Sequence, residues 1–240
     1  MSTAYGVPVD TTAVRSDLAD LVARAARGEL GDVPDVHRFD PRTQADYREA
    51  AVLLLLTPTA APEAGPPGAD LFLVQRSPLL RHHPGQIALP GGRRDPEDRD
   101  IVHTALRETH EEIGLPPERV EVIGTLPRLA VPISRYAVTP VVGWAEDGTD
   151  LAEVDDGEVL HTLRVPVGHL LDPASRARVR LLTHTSAGFL VPGGWVWGFT
   201  GNLLDHVLDE LGWTRPWDRD RVHRMSLAEA HGGPPTTAEG

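Results

Sequence analysis

Glu108, Glu111 and Glu112 stand at i, i+3 and i+4 in the run Arg107-Glu108-Thr109-His110-Glu111-Glu112-Ile113-Gly114. On a helix this spacing brings three carboxylates onto one face. Like charges that close repel, and the last turn of a helix already disfavours negative charge. A solvated surface gains little from three carboxylates placed there. A hard divalent cation that prefers oxygen, Mg²⁺ or Mn²⁺, turns the same repulsion into binding. The flanking residues define the element. A Gly91-Gly92 turn leads through an acidic loop over 91–99 into a helix over about 100–113, with Asp98 or Asp100 as N-cap and Gly114 as the stop. Val102, Leu106 and Ile113 form its core-facing stripe, with Thr109 on the same side.

Composition removes several chemistries. The 240 residues contain no cysteine, which excludes disulfides, thiolate catalysis and cysteine–zinc sites and fits a reducing cytoplasm. Lysine is also absent, which removes Schiff-base chemistry and the phosphate-loop lysine of Walker-type NTPases. The net charge of -12 argues against a nucleic-acid partner held on a broad basic face. An anionic small molecule remains compatible, because a cation and a few arginines reverse the potential inside one cleft. The longest apolar run, Ala50 to Leu56, is too short to span a bilayer, so no membrane partner is expected. The opening MSTAYGVPVD carries no signal-peptide pattern.

Along the chain, residues 11–28 predict an amphipathic helix through Val14, Leu18, Leu21 and Val22, and 29–49 read as irregular. Strands are expected at 50–57, 70–75 (the return of a hairpin across a Pro/Gly-rich loop), 87–89, 119–126, 136–144, 158–165, 177–183 and 188–197. A last amphipathic helix over 200–211 presents Leu203, Leu204, Val207 and Leu211, and the end of the chain, HGGPPTTAEG, reads as disordered. Trp195, Trp197, Trp213 and Trp217 are expected in the core. Several strands with one internal helix and one near the end imply an α/β (α+β) domain, a mixed sheet sandwiched between helices.

Residues 91–115 resemble the Nudix box: Gly, five residues, Glu, seven residues, Arg-Glu-(apolar)-x-Glu-Glu-x-Gly-(apolar). Here Gly92 is followed by five residues, Asp98, eight residues, and Arg107 to Leu115. The chain thus departs at Asp98, at one extra residue before Arg107, and at Thr109 in an apolar position. The first two departures recur in the coenzyme A pyrophosphatase branch. A second stretch, FLVQRSPLLRHHPGQIALPGG, is similar to that branch at Arg76, Ser77, Arg81, Gly85, Pro90, Gly91 and Gly92, and differs at Phe72, Val74 and Leu89. Segments 136–144, 164–173 and 197–213 also look like later parts of such proteins. The resemblance therefore covers most of 50–213 and divides the chain into an N-terminal helical extension (1–45), a Nudix hydrolase domain (46–215) and a partly disordered C-terminal tail (216–240).

The resemblance implies a metal-dependent hydrolase of coenzyme A and its thioesters, releasing 3′,5′-ADP and 4′-phosphopantetheine products. The alternative substrate is ADP-ribose or a dinucleotide, and a non-catalytic ligand-sensing module is the remaining reading. Glu108 and Glu112 are implied metal ligands, Glu111 a further ligand or water-positioning group, and the Gly91 carbonyl a backbone ligand. Arg107 orients a glutamate. Arg76 and Arg81, with Gly85, Gly92 and Arg94, are the expected substrate-binding residues, because a 3′-phosphate beside a diphosphate calls for extra guanidinium groups. Arg93 and Arg94 either face phosphate or offset the acidic loop. His82 and His83 read as exposed loop residues, and His103 and His110 as surface or supporting residues. The general base stays open among Glu108, Glu111 and the acidic run 153–158. Related enzymes often pair, so a homodimer is among the expectations.

Overall fold

Strand β2 (Arg48–Pro58) explains the architecture in its own sequence. Ala51, Leu53 and Leu55 point into one apolar cluster and Leu54 and Leu56 into another, so the strand is buried on both faces. Such a strand must sit inside a sheet, with helices above and below. In the computed structural model, which describes residues 11–61, 65–79, 84–146 and 159–235, that is its place. It pairs in parallel with β8 (Tyr136–Trp144), Leu53 opposite Val141, and antiparallel with β3 (Ala69–Arg76), Leu56 opposite Leu71. Its first half takes the short strand β5 (Gly91–Arg93), Ala51 opposite Gly92. Strands β4 (Ile87–Ala88) and β9 (Val159–Pro166) pair with β3, and β6 (Glu121–Thr125) and β7 (Leu129–Val131) with β8. Strand β1 (His37–Arg38) extends β7. The result is the mixed sheet that the pattern predicts.

Helix α2 (Ile101–Ile113) covers the Leu53/Leu55 face with Ala105 and Ile113. The opposite face is covered by α1 (Thr12–Ala26), through Val14, Leu18 and Leu21, and by α4 (Gly198–Glu210), through Leu203, Leu204, Val207 and Leu208. These helices share one core, and polar contacts clamp them. Glu210 accepts from Arg24 of α1 (2.9 Å) and from the Gly31 N–H (2.9 Å). Burial opposes the Glu210 charge, but these two donors outweigh it and hold the carboxyl below its ordinary range. The short helix α3 (Val167–Leu170) packs Val167 and Leu170 into the same core.

A second sheet has the order β12-β11-β10-β13, formed by β10 (Arg176–Leu181), β11 (His184–Val191), β12 (Gly194–Val196) and β13 (Val222–Arg224), the last parallel to β10. Arg176 is buried on β10, stacked 4.5 Å from the Phe189 ring and 4.7 Å from Trp217, and it pairs with Asp205 of α4. This charged pair joins the second sheet to the helix that covers the first.

Differences from the sequence reading have local causes. The strand expected at 188–197 is a hairpin, β11 and β12, because Pro192-Gly193-Gly194 turns the chain, with φ of +92° at Gly193. Strands β5, β7 and β13 are too short to carry a period. Val102 and Leu106 are only partly buried, and Thr104 and Ala105 take the core positions beside Ile113. Trp195 is in the core as expected; Trp197 and Trp213 pack on its edges, and Trp217 lies between Arg176 and Arg219. Within 231–235, read as disordered, Gly232 and Gly233 are half-buried, with Gly232 against Gly85, and the preceding helix α5 (Leu227–Ala230) opens with a Ser226/Glu229 capping box. Residues 236–240 lie outside the described residues. Among the described residues no helix is long and apolar enough to cross a membrane.

Two outcomes follow from this packing. Leu18, 1% exposed, lies in the shared core, so Leu18→Ala should lower the unfolding free energy by about 2–5 kcal/mol in urea titrations. His206 on α4 is held below the usual imidazole pKa, chiefly by burial and further by Arg38, against the opposing charges of Glu210, Asp209 and Asp205. The unfolded chain then takes up this proton first. Stability should fall as pH drops below about 6.5, and His206→Gln should flatten that part of the stability–pH curve.

Candidate active site

Helix α2 is closed at both ends by its own sequence. Asp100, the nearer of the two cap candidates, accepts from the His103 N–H at 2.8 Å. Gly114 adopts φ 71° and donates its N–H to the His110 carbonyl at 2.9 Å. Thr109 occupies its apolar position without an unsatisfied group, since its hydroxyl donates to the Ala105 carbonyl at 2.7 Å.

Asp98 has a different task from capping. Its side chain is almost fully buried and receives a two-pronged contact from Arg107, Nε to Oδ1 and Nη2 to Oδ2, both at 3.0 Å. The Asp95 N–H (2.9 Å) and the Thr104 hydroxyl (2.9 Å) also donate to it, and the His103 ring lies 2.9 Å away. Arg107, followed by these donors, holds the Asp98 carboxyl far below the usual range against the opposing effect of burial. The pairing in turn keeps Arg107 firmly protonated. The same guanidinium reaches Glu108 (2.9 Å), Glu111 (3.0 Å), Asp95 (3.8 Å) and the Arg93 carbonyl (3.1 Å). It orients two of the three glutamates and fastens the acidic loop to the helix.

The third glutamate is set by the sheet. Glu112, with a side chain 5% exposed, accepts from the Gly91 N–H at 2.8 Å. Gly91 has φ of +146° beside β2, and a Cβ there would lie 2.7 Å from the Val52 Cα. A Cβ on Gly92 would lie 2.6 Å from Glu108 Oε1, so glycine is what allows that carboxylate to rest on the turn. At the end of β3, Arg76 places Nη1 3.9 Å from Glu112 Oε1. Its N–H donates to the Gln86 carbonyl (2.9 Å), which braces the loop carrying Gly85.

The structure therefore brings together Arg76, Gly91, Gly92, Arg107, Glu108, Glu111 and Glu112. Arg81, His82, His83 and the acidic run 153–158 lie outside the described residues. Arg94 is engaged elsewhere: it donates to Glu49 (2.6 Å) and the Asp98 carbonyl (3.3 Å), so contact with a substrate phosphate requires that pair to open. Arg93 pairs with Asp95 at 3.3 Å, the loop-offsetting alternative. His110 is exposed, and His103 supports Asp98. Sequence reasoning missed the shared load on Asp98, although the Asp98/Thr104/Arg107 spacing contains it.

Among the described residues no three acidic or histidine side chains already converge into a cation cage. The donor set nevertheless suits Mg²⁺ or Mn²⁺. It consists of carboxylate oxygens at one end of a helix, and Glu108 is a carboxylate whose proton affinity is raised, first by burial and also by Glu111 and Asp95, despite Arg107. A cation would relieve that cost.

Removing the central pair should loosen the site from within. Asp98→Asn should cost on the order of 2–3 kcal/mol in thermal or urea unfolding, because it leaves part of a buried donor set unmatched. Gly92→Ala should push Glu108 off the turn and reduce turnover about 10²-fold with little change in melting temperature, checked by steady-state rates beside calorimetry.

Comparison with known proteins gives the family. A NUDIX domain model matches residues 46–185. A protein of Klebsiella pneumoniae described as uncharacterized Nudix hydrolase NudL is 35% identical over 181 residues, 71% of this chain and 86% of that protein. A NudL protein of Photorhabdus laumondii is 33% identical over 178 residues, 71% and 88% of the two chains. Among solved structures, a Nudix hydrolase from M. smegmatis, RenU, is 29% identical with a TM-score of 0.40, covering 50% of this chain and 70% of that one. The Nudix domain of Shewanella oneidensis NrtR, complexed with ADP ribose, is 23% identical with a TM-score of 0.38, covering 54% and 79%. The chain is a member of the Nudix hydrolase family, enzymes that act on pyrophosphate bonds.

Proposed function

We propose that this Nudix hydrolase cleaves the diphosphate of coenzyme A and its thioesters, giving 3′,5′-ADP and 4′-phosphopantetheine products. The observation that carries the reading is Arg76. It belongs to the second motif, yet its guanidinium sits 3.9 Å from the Glu112 carboxylate of the first. A ligand held at the glutamates thus meets a cation from the end of β3, braced by the loop that carries Gly85. Guanidinium groups match phosphate oxygens in pairs, and coenzyme A offers a 3′-phosphate in addition to its diphosphate. Arg81, from the same motif, is proposed as the second such group.

Glu108, Glu111 and Glu112 with the Gly91 carbonyl are the proposed holders of Mg²⁺ or Mn²⁺, which supplies neutralisation of the diphosphate oxygens and a more acidic water. The protein's own part is to keep these oxygens apart and aimed. Arg107 restrains Glu108 and Glu111, and the Gly91 N–H restrains Glu112. In the reaction a water oxygen bonds to phosphorus as the bridging P–O bond breaks. A carboxylate, Glu108, Glu111 or one of the run 153–158, takes the water proton, and the departing phosphate keeps the bond's electron pair.

The test is purified protein with coenzyme A and each metal, followed by product chromatography. Appearance of 3′,5′-ADP is expected; cleavage of ADP-ribose or a dinucleotide with coenzyme A untouched would reject the substrate. Glu112→Gln keeps an acceptor for the Gly91 N–H but loses the charge, so it should retain the fold and lose more than about 10²-fold in kcat. Chelation with EDTA should abolish turnover, and added metal should restore it.

A further inference from the structure

The C-terminal segment beyond α4 is built against the loop that follows Arg76. Strand β13 runs parallel to β10, Arg178 opposite Val222. His223 stacks on Trp195 with ring centroids 4.6 Å apart and meets Glu229 at 2.9 Å. Glu229 also accepts from the Ser226 N–H (2.7 Å), and Met225 and Ala230 are buried with Ala177, Val179 and Trp195. This anchored unit delivers Gly232 to Gly85. Both glycines have positive φ, +86° and +67°. Their backbones meet so closely that a Cβ on Gly232 would lie 2.7 Å from the Gly85 Cα, and one on Gly85 would lie 2.6 Å from the Gly232 N.

Gly85 is one residue from Gln86, whose carbonyl takes the Arg76 N–H. The Gly85 N–H approaches the Ser77 carbonyl at 3.4 Å, and Gln75 Nε2 approaches the Gly85 carbonyl at 3.5 Å. A continuous set of contacts therefore runs from Gly232 through Gly85 and Gln86 to Arg76, and from Arg76 to Glu112. The tight contact is between two backbones, so neither side yields by a rotamer change.

We propose that Gly232 is a positioning residue for substrate binding: the C-terminal unit seats Gly85 and thereby holds Arg76 over the glutamates. The proposal rests on the assignment of Arg76 to the substrate. In this arrangement the last part of the chain governs how well the nucleotide is gripped, while the carboxylate geometry, set by Arg107 and Gly91, is left alone.

The experiment is Gly232→Ala in the full chain, with Ser226→Ala, which releases the α5 cap without touching the loop, as the second variant. Steady-state kinetics and hydrogen exchange at the Arg76, Ser77, Gly85 and Gln86 amides are measured for each. The expected result is faster exchange at these amides and a KM raised about tenfold, with kcat within about twofold. Unchanged KM in both variants overturns the proposal, with or without faster exchange; so does a fall in kcat at constant KM. If Gly232→Ala does not fold, Ser226→Ala decides alone by the same criteria. The kinetics use whichever nucleotide diphosphate derivative the wild type hydrolyses. A failure of the coenzyme A reading therefore appears in the wild type, and a failure of the glycine seat only in the variants.

Discussion

One guanidinium makes this acidic site possible. Arg107 meets Asp98 on two prongs and touches Glu108, Glu111 and Asp95 as well. Without it, Glu108 and Glu111 would repel toward the C-terminal end of α2, where the dipole already opposes them, and Asp95 and Asp98 would add to that repulsion from the approach loop. The buried contact to Asp98 fixes the position of Arg107, and the more exposed contacts use that fixed cation to aim the glutamates. The partition matters: the exposed Arg107–Glu111 pair contributes little to stability, whereas Asp98 has no solvent to fall back on.

The sheet supplies the rest of the geometry. β2 is held on both faces by leucines and on its first half by β5, so Gly91 and Gly92 have a defined register against Ala51 and Val52. Glu112 is bound to that register through the Gly91 N–H, and Glu108 through the space above Gly92. Helix and sheet thus agree on one arrangement of oxygens from opposite sides.

The sandwich, the box helix and its caps were legible because their signals are local and periodic: Leu53 to Leu56 on β2, Asp100 and Gly114 at the ends of α2. The glutamates and Arg107 were legible from spacing, since i, i+3 and i+4 are neighbours on any helix. What escaped is non-local. The Gly85–Gly232 seat joins residues far apart in the chain, and neither glycine announces a partner. The Arg176–Asp205 pair has no sequence signature, because a buried arginine reads like a surface one until Phe189 and Trp217 close around it. Arg94 reads either as facing phosphate or as offsetting the acidic loop, and its pairing with Glu49 on the neighbouring strand has no local sequence signal. Strand β13 and helix α5 escaped because three or four residues are too few to carry a period.

The distance between Asp98 and Arg107 gives a last consequence. The chain has one residue more here than the general box pattern and a carboxylate one methylene shorter, yet the fork closes at 3.0 Å on both prongs. The fork ties the exit of the acidic loop to the second turn of α2, so loop and helix move as one piece and the loop's path is set from within the helix.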